Sequence, residues 1–283
     1  MYLQQPHELN LAVAQLIDVA LAEDIGGGDL TSQAVIPEGL RFAGVMAARE
    51  ELVIAGLPFA AEVFRRVDPG IRFHTKVKDG DKLAAGAVLA ELEGPARGLL
   101  TAERTALNLL QHLSGIATMT RVYVEAIAGS GAILLDTRKT IPGLRQLAKY
   151  AARMGGAENH RMGLYDGVLI KDNHIAVCGS VSEAVRRAKS AKAPLVEVEC
   201  DTLEQVAEAI AAGPDMILFD NMAPELMRQA VAIVGGKAKT EASGGIRLET
   251  IKAVAATGVD YISVGRLTQS ARAVDIGLDW SAR

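Results

Sequence analysis

Only two cysteines, Cys178 and Cys200, occur in the 283 residues. They are too few for a disulfide framework and lack metal-ligand spacing, so both read as reduced and inert. No long run of Lys and Arg is present, and the net charge of -4 with a pI of about 5.8 argues against nucleic acid as the main partner. No apolar stretch approaches the roughly 20 residues of a membrane span. The N-terminus also lacks the basic start of a signal peptide, so no membrane association and a cytoplasmic location are expected. There is no convincing Ser/His/Asp or Cys/His arrangement, which shifts attention from covalent catalysis to binding and orientation. What is present, 49% hydrophobic residues, suffices for one large α/β domain or a barrel with a smaller companion.

The chain concentrates positive charge in one place. Between Arg138 and Lys171 stand Arg138, Lys139, Arg145, Lys149, Arg153, Arg161 and Lys171, against only Glu158 and Asp166. A mixed apolar pattern over Leu11 to Ala22 predicts a short helix, ended by Gly26-Gly27-Gly28-Asp29. From Phe42 to Glu93 the signal is of short β-like runs, including Gly44 to Ala48, Val53 to Ala55 and Val88 to Leu92. One piece, Val77 to Asp81 followed by Gly86 to Leu89, is similar to a lipoyl-type module but offers no modifiable Lys on the next hairpin. A plain β-rich structural domain is expected instead. A long helix follows, with Thr101 as the expected N-cap, Leu107, Leu110, Leu113 and Ile116 on one face, and an end near Ile127. Arg104 then falls in the first turn, where the macrodipole disfavours a cation. It either pairs locally with Glu103 or reaches outward to an anion.

From Ala132 onward the pattern becomes periodic. Ala132 to Asp136, Gly167 to Lys171, Leu195 to Glu199, Met216 to Asp220, Ala238 to Ser243 and Tyr261 to Gly265 read as buried strands separated by amphipathic helices. That is the signature of repeated βα units. Two helices open with capping patterns, Ser180 to Glu183 and Asp201 to Glu204. Such a series curls into a barrel or winds into an open sheet, and six clear strands do not support eight-stranded closure.

The strands stop in polar residues, and in an α/β barrel the carboxyl ends of the strands form the active site. Alternation puts Val196 and Val198 on one face and Glu197 and Glu199 on the other; in Lys239 to Ser243 the odd positions are all polar. If the valines meet the helices, the carboxylates face the interior, where charges require partners, a ligand or a metal. Arg138, Arg161 and Lys171, with His160, suit a dicarboxylate, because guanidinium forks match carboxylates bidentately. Ser243-Gly244-Gly245 and Gly265 suit a phosphate held by backbone N–H groups. Glu199 and Asp220 are hard oxygen ligands suited to Mg²⁺. Together they describe a pocket for a dicarboxylate, a phosphorylated sugar and a divalent cation.

The motif series resembles that of the quinolinate phosphoribosyltransferase family, in order and over nearly the whole chain. The matching runs are Glu103 to Asn108, Asp136 to Thr140 with Pro142-Gly143, Asn159-His160-Arg161, Leu169 to His174, Glu197 to Glu199, Phe219 to Asn221, Glu241 to Ile246 and Gly258 to Ser263. The resemblance implies an α/β sandwich domain over residues 1–111 and an incomplete, about seven-stranded α/β barrel over 112–283. The C-terminal tail would be free to return to the first domain. It implies a homodimer with shared sites, higher assembly being left open. It also implies de novo NAD synthesis, in which quinolinate and phosphoribosyl pyrophosphate give nicotinate mononucleotide, pyrophosphate and CO2. By that likeness Arg104, Arg138, His160, Arg161 and Lys171 hold quinolinate. Lys139, Ser243, Gly244, Gly245 and Gly265 hold phosphoribosyl pyrophosphate, and Glu199 and Asp220 hold its Mg²⁺. Lys139, Lys171, Glu199 and Asp220 are the expected catalytic set. One departure is Leu267-Thr268-Gln269-Ser270 where many members carry Leu-Thr-His-Ser; an amide can donate to a phosphate but carries no charge. Competing readings are a paralogue with other substrates, a noncatalytic anion-binding barrel, and an aldolase using Lys139 or Lys171 as a Schiff base.

Overall fold

A computed structural model describes residues 10–281. The first nine residues, on which the leader reading partly rests, lie outside the described residues. In chain order the elements are α1 (Leu11–Ile25), α2 (Leu30–Val35), β1 (Arg41–Ala48), β2 (Leu52–Val53), α3 (Leu57–Val67), β3 (Arg72–Thr75), β4 (Lys82–Leu83), β5 (Val88–Pro95) and α4 (Ala96–Ala126). They continue as β6 (Ile133–Leu135), α5 (Arg145–Gly155), β7 (Val168–Ile170), α6 (Asp172–Cys178), α7 (Val181–Ser190), β8 (Val196–Cys200) and α8 (Leu203–Ala212). The last are β9 (Met216–Asp220), α9 (Pro224–Val234), β10 (Lys239–Ser243), α10 (Leu248–Ala255), β11 (Tyr261–Ser263), α11 (Arg266–Gln269) and β12 (Ile276–Ser281).

Two compact units divide the described residues, one of residues 10–121, 141–156 and 270–281, the other of 122–140 and 157–269. The first is an α/β sandwich. Its antiparallel sheet runs β12-β1-β5-β3, and Met46, Leu89 and Leu92 of that sheet share one apolar core with Phe59 and Phe64 of α3 and Leu99, Leu110 and Leu113 of α4. The tail strand β12 pairs antiparallel with β1, Met46 opposite Leu278. Sequence reading placed the domain boundary at residue 111; in the structure α4 as far as Arg121 and all of α5 belong to this first unit.

Three expectations fail here. The segment read as a series of short β-like runs contains α3, opened by Pro58 in its first turn, the position where the missing proline N–H costs nothing. Thr101 does not cap α4, because the chain passes directly from Pro95 at the end of β5 into the helix at Ala96. Its hydroxyl instead donates to Asp29 Oδ2 at 2.9 Å. Arg104 is therefore in the third turn rather than the first, and Glu103 accepts the Trp280 indole N–H at 3.1 Å instead of pairing with it.

In the second unit six parallel strands pair in the order β6-β11-β10-β9-β8-β7. Beyond β6, Leu135 bridges in parallel to Glu158, a seventh strand position. Followed around, the order Glu158, β6, β11, β10, β9, β8, β7 is the chain order closed into a ring, with one pairing absent among the described residues, between Glu158 and β7. This is an incomplete α/β barrel. Val196, Val198, Met216, Ile217 and Ala242 are fully buried, as strands covered by helices require. Glu197 and Glu241 are fully buried as well, so the alternation does carry carboxylates into the interior.

Candidate active site

Cations from three consecutive strand ends meet in one cavity of about 480 Å³ within the barrel unit. Arg138 and Lys139 come from the loop after β6, Arg161 from the loop after Glu158, and Lys171 from the end of β7. His160, Asp220, Asn221, Glu241, Ser243, Gly244 and Gly245 line the same cavity, with Leu169 and Leu218 as apolar wall. Strand register explains the meeting: Ser243 lies opposite Asp220, and the parallel direction of all the strands brings their last side chains to one end.

On one side the charges are acidic. Glu199 is tied to the cavity through Lys171, whose Nζ lies 2.5 Å from Glu199 Oε2. Burial pushes the Glu199 carboxyl above its ordinary value, with Lys171 opposing; Asp220 is raised by burial and then by the charge of Asp201. Asp201 was read as a helix N-cap. In the structure Thr202 caps α8, its Oγ1 accepting from the Gln205 N–H at 3.3 Å while Gln205 Oε1 accepts from the Asp201 and Thr202 N–H groups. The cap therefore sits one residue later and leaves the Asp201 carboxylate beside Glu199 and Asp220, with one ligand oxygen from each within 4.8 Å of the others. The overlapping patterns Asp201 to Glu204 and Thr202 to Gln205 were the available signal.

The glycine end is a cradle closed by Asn221. This residue takes a left-handed conformation with φ 53°, its N–H donating to the Ser243 carbonyl at 2.9 Å and its Nδ2 to Asp220 Oδ2 at 2.6 Å. Gly244, with φ 93°, packs so closely that a Cβ would lie 2.3 Å from Asn221 Oδ1. Gly265 plays a different part: a Cβ there would lie 2.8 Å from Lys139 Cδ, so its bareness makes room for the Lys139 stem. Thr268 Oγ1 donates to the Lys139 carbonyl at 2.7 Å, whereas Gln269 is exposed.

The cavity floor is a buried polar cluster. Asp136, fully buried, accepts from the His160 N–H at 2.9 Å and from Asn159 Nδ2 at 2.5 Å. His160 Nε2 faces Glu197 Oε2 at 3.2 Å and Glu241 Oε2 at 3.5 Å. Burial works against a charged ring and the two carboxylates favour one, but the Nδ1 lone pair that a second proton would need already accepts the Arg161 N–H; burial and Glu241 push the Glu197 carboxyl up. Arg161 is held by Nη1 donating to the Gly167 carbonyl at 3.0 Å. Asp166 closes the intervening loop by accepting from the Met162 and Gly163 N–H groups. His174 is accounted for structurally: its Nδ1 accepts the Lys171 N–H at the start of α6.

Arg104, the remaining predicted residue, is exposed on α4 in the first unit, with no hydrogen bond or ion pair among the described residues. The Schiff-base reading loses support for Lys171, since such a lysine is activated by an apolar pocket or a neighbouring cation and Lys171 pairs instead with the Glu199 carboxylate. Lys139 is exposed, and Lys171 is half-exposed and ion-paired.

Comparison with known proteins bears on the family and the fold. Residues 29–114 match the family model of the quinolinate phosphoribosyl transferase N-terminal domain, and residues 116–279 that of its C-terminal domain. A probable nicotinate-nucleotide pyrophosphorylase (carboxylating) of Bacillus subtilis is 49% identical over 272 residues, covering 95% of this chain and 94% of that protein. The corresponding protein of Mycobacterium leprae is 48% identical over 275 residues, covering 95% and 97%. The solved structure of the nicotinate-nucleotide pyrophosphorylase from Francisella tularensis superposes with a TM-score of 0.93 at 42% identity, covering 98% of this chain and all of that one. With both domain models matched in order on a barrel whose cations and acids share one mouth, the chain belongs to the quinolinate phosphoribosyl transferase family.

Proposed function

We propose that this chain transfers the phosphoribosyl group of phosphoribosyl pyrophosphate to the ring nitrogen of quinolinate and releases the adjacent carboxylate as CO2, giving nicotinate mononucleotide for de novo NAD synthesis. The observation that carries the reading is the single cavity shared by Arg138, Lys139, Arg161, Lys171, Asp220 and the Gly244-Gly245 cradle. The guanidinium groups suit the two carboxylates of the pyridine. Lys139 and the backbone N–H groups of the Ser243-Gly244-Gly245 turn suit phosphate oxygens.

The nitrogen lone pair forms the bond to the anomeric carbon as the bond to pyrophosphate breaks, so the centre becomes oxocarbenium-like and the leaving group highly charged. Donors fixed on strand ends stabilise that charge without reorganising, each contributing about 3 kcal/mol. Ribosylation leaves the ring nitrogen cationic, and its charge stabilises the electron pair left on the adjacent ring carbon when the C–CO2 bond breaks; that pair then takes up a proton from solvent, giving nicotinate mononucleotide. The protein then has to orient both substrates and exclude water; no nucleophilic side chain is needed. Glu199, Asp201 and Asp220, a hard-oxygen set, fit Mg²⁺ and would hold it. Mg²⁺ would neutralise charge on the departing pyrophosphate.

The same reading makes the working unit a homodimer. Leu164, Tyr165 and Val177 are 75, 78 and 92% exposed, close in sequence to Arg161 and Lys171, and a second copy of the chain would cover them. Exposed Arg104 would then enter the partner's cavity. No described helix is long and apolar enough to cross a membrane, which accords with a cytosolic enzyme. Mixing the protein with quinolinate, phosphoribosyl pyrophosphate and Mg²⁺ is expected to release pyrophosphate only when both organic substrates are present. Binding without turnover would instead favour a noncatalytic anion-binding barrel. Mixed Arg104→Ala and Lys171→Ala chains, each inactive alone, are expected to regain activity, and no regain would count against shared sites.

A further inference from the structure

Two fully buried carboxylates under the cavity have no part in the scheme above. Barrel interiors are normally filled by aliphatic side chains, and replacing a buried ionic group by apolar residues is often neutral or stabilising. Stability therefore does not explain Glu197 on β8 and Glu241 on β10. Neither Glu241 oxygen has a hydrogen-bond partner among the described residues, and its Oε2 points at His160 Nε2 from 3.5 Å. The other ring nitrogen is engaged as well: Nδ1 accepts the Arg161 backbone N–H at 2.8 Å. An accepting Nδ1 puts the proton on Nε2, directed at the two carboxylates. The same assignment argues against a metal at His160, Glu197 and Glu241, although their ligand atoms lie within 4.8 Å of one another. A metal would need the nitrogen that carries the proton.

A chain of contacts results. The carboxylates hold Nε2–H, which fixes the ring; the ring accepts from the Arg161 N–H; and the guanidinium of Arg161 is steadied at its far end by the Gly167 carbonyl. We infer that Glu241, with Glu197, is a positioning residue for the diacid: acting through the His160 ring, it sets the Arg161 backbone and so aims the guanidinium at a substrate carboxylate. His160 then contributes by holding Arg161 in register, with both ring nitrogens already engaged. This inference rests on the quinolinate reading of the cavity and deepens it.

The test is a double-mutant cycle on the full-length enzyme, with KM measured separately for each substrate. Wild-type turnover of quinolinate with phosphoribosyl pyrophosphate decides the underlying reading, and its absence would bring this inference down too. Given turnover, Glu241→Gln is expected to raise the quinolinate KM about tenfold, the loss of one misaligned charge-assisted bond. The KM for phosphoribosyl pyrophosphate should stay within about twofold. In a His160→Ala background the same Glu241→Gln change should alter the quinolinate KM by less than about twofold, because its route is already cut. Equal losses for both substrates, or an undiminished effect in that background, would overturn the inference. Should Glu241→Gln fail to fold, Glu197→Gln enters the same cycle with the same expected outcomes.

Discussion

Replacing Gly244 by alanine separates backbone geometry from side-chain chemistry at the phosphate end. Gly244 has φ 93°, outside the range an L-residue adopts without strain, and forcing a Cβ into left-handed backbone costs about 1–2 kcal/mol. The new methyl would lie 2.3 Å from Asn221 Oδ1, 2.6 Å from its Cγ and 2.8 Å from its backbone N. Rotating the Asn221 side chain relieves the first two contacts but gives up its bond to Asp220, and the third is with backbone that cannot rotate away. Overpacking of this kind adds about 1–3 kcal/mol. The sum, about 3 kcal/mol, corresponds to a fall in melting temperature of roughly 6–12 °C. Gly245 is the internal control: its φ is 61°, and the nearest atom to an added Cβ is 4.0 Å away. Gly245→Ala should cost only about 1 kcal/mol, a fall of roughly 2–4 °C. Thermal melts of both variants, paired with titration of phosphoribosyl pyrophosphate, measure the difference. Equal shifts, or a Gly244→Ala protein as stable as wild type, would refute the argument that Asn221 closes this turn.

Other expectations follow from single contacts. Arg161→Lys should weaken quinolinate binding about tenfold or more while leaving phosphoribosyl pyrophosphate binding nearly unchanged, because a point charge cannot replace the planar fork; calorimetric titration of each substrate reads this. Asp201→Asn should raise the Mg²⁺ concentration for half-maximal activity several-fold, since one of three grouped carboxylates is neutralised; an unchanged Mg²⁺ curve removes Asp201 from the set. Acid should loosen the returning tail. Hydrogen bonds from Arg272 and the Asp275 N–H hold Glu50 at about 2, down from 4.5. Because the folded value is the lower one, this stabilisation is complete above about 4.5 and is lost as pH falls from there toward 2. Melts of Glu50→Gln and wild type should therefore differ at pH 7 and converge near pH 2.

Much of the barrel was legible because two independent signals coincide there. Runs such as Met216 to Phe219 are buried on both faces, and each ends in a polar residue that has no reason to follow an apolar strand unless it meets a ligand. The alternation Val196-Glu197-Val198-Glu199 placed the acids inside, but a strand pattern specifies a face and not a partner. It could therefore not show that Glu197 converges with Glu241 on His160, a contact made across three strands. In the first unit the signal was poorer. Helix α3 spans eleven residues between short strands, so its apolar residues Phe59, Val63 and Phe64 blended with the surrounding β-like runs. Strand β12 forms only by returning to β1 across more than two hundred residues, a pairing that local pattern does not encode. The Asp201 carboxylate was hidden by a one-residue ambiguity in where α8 is capped.

The most direct test of the central claim, that these cations grip a pyridine diacid beside a seated pyrophosphate, is a stoichiometric turnover with quinolinate labelled in the carboxylate next to the ring nitrogen. Labelled CO2 and pyrophosphate are expected in a one-to-one ratio, and nicotinate, which lacks that carboxylate, should release almost none of the pyrophosphate. Pyrophosphate without labelled CO2, or equal turnover of nicotinate, would contradict it.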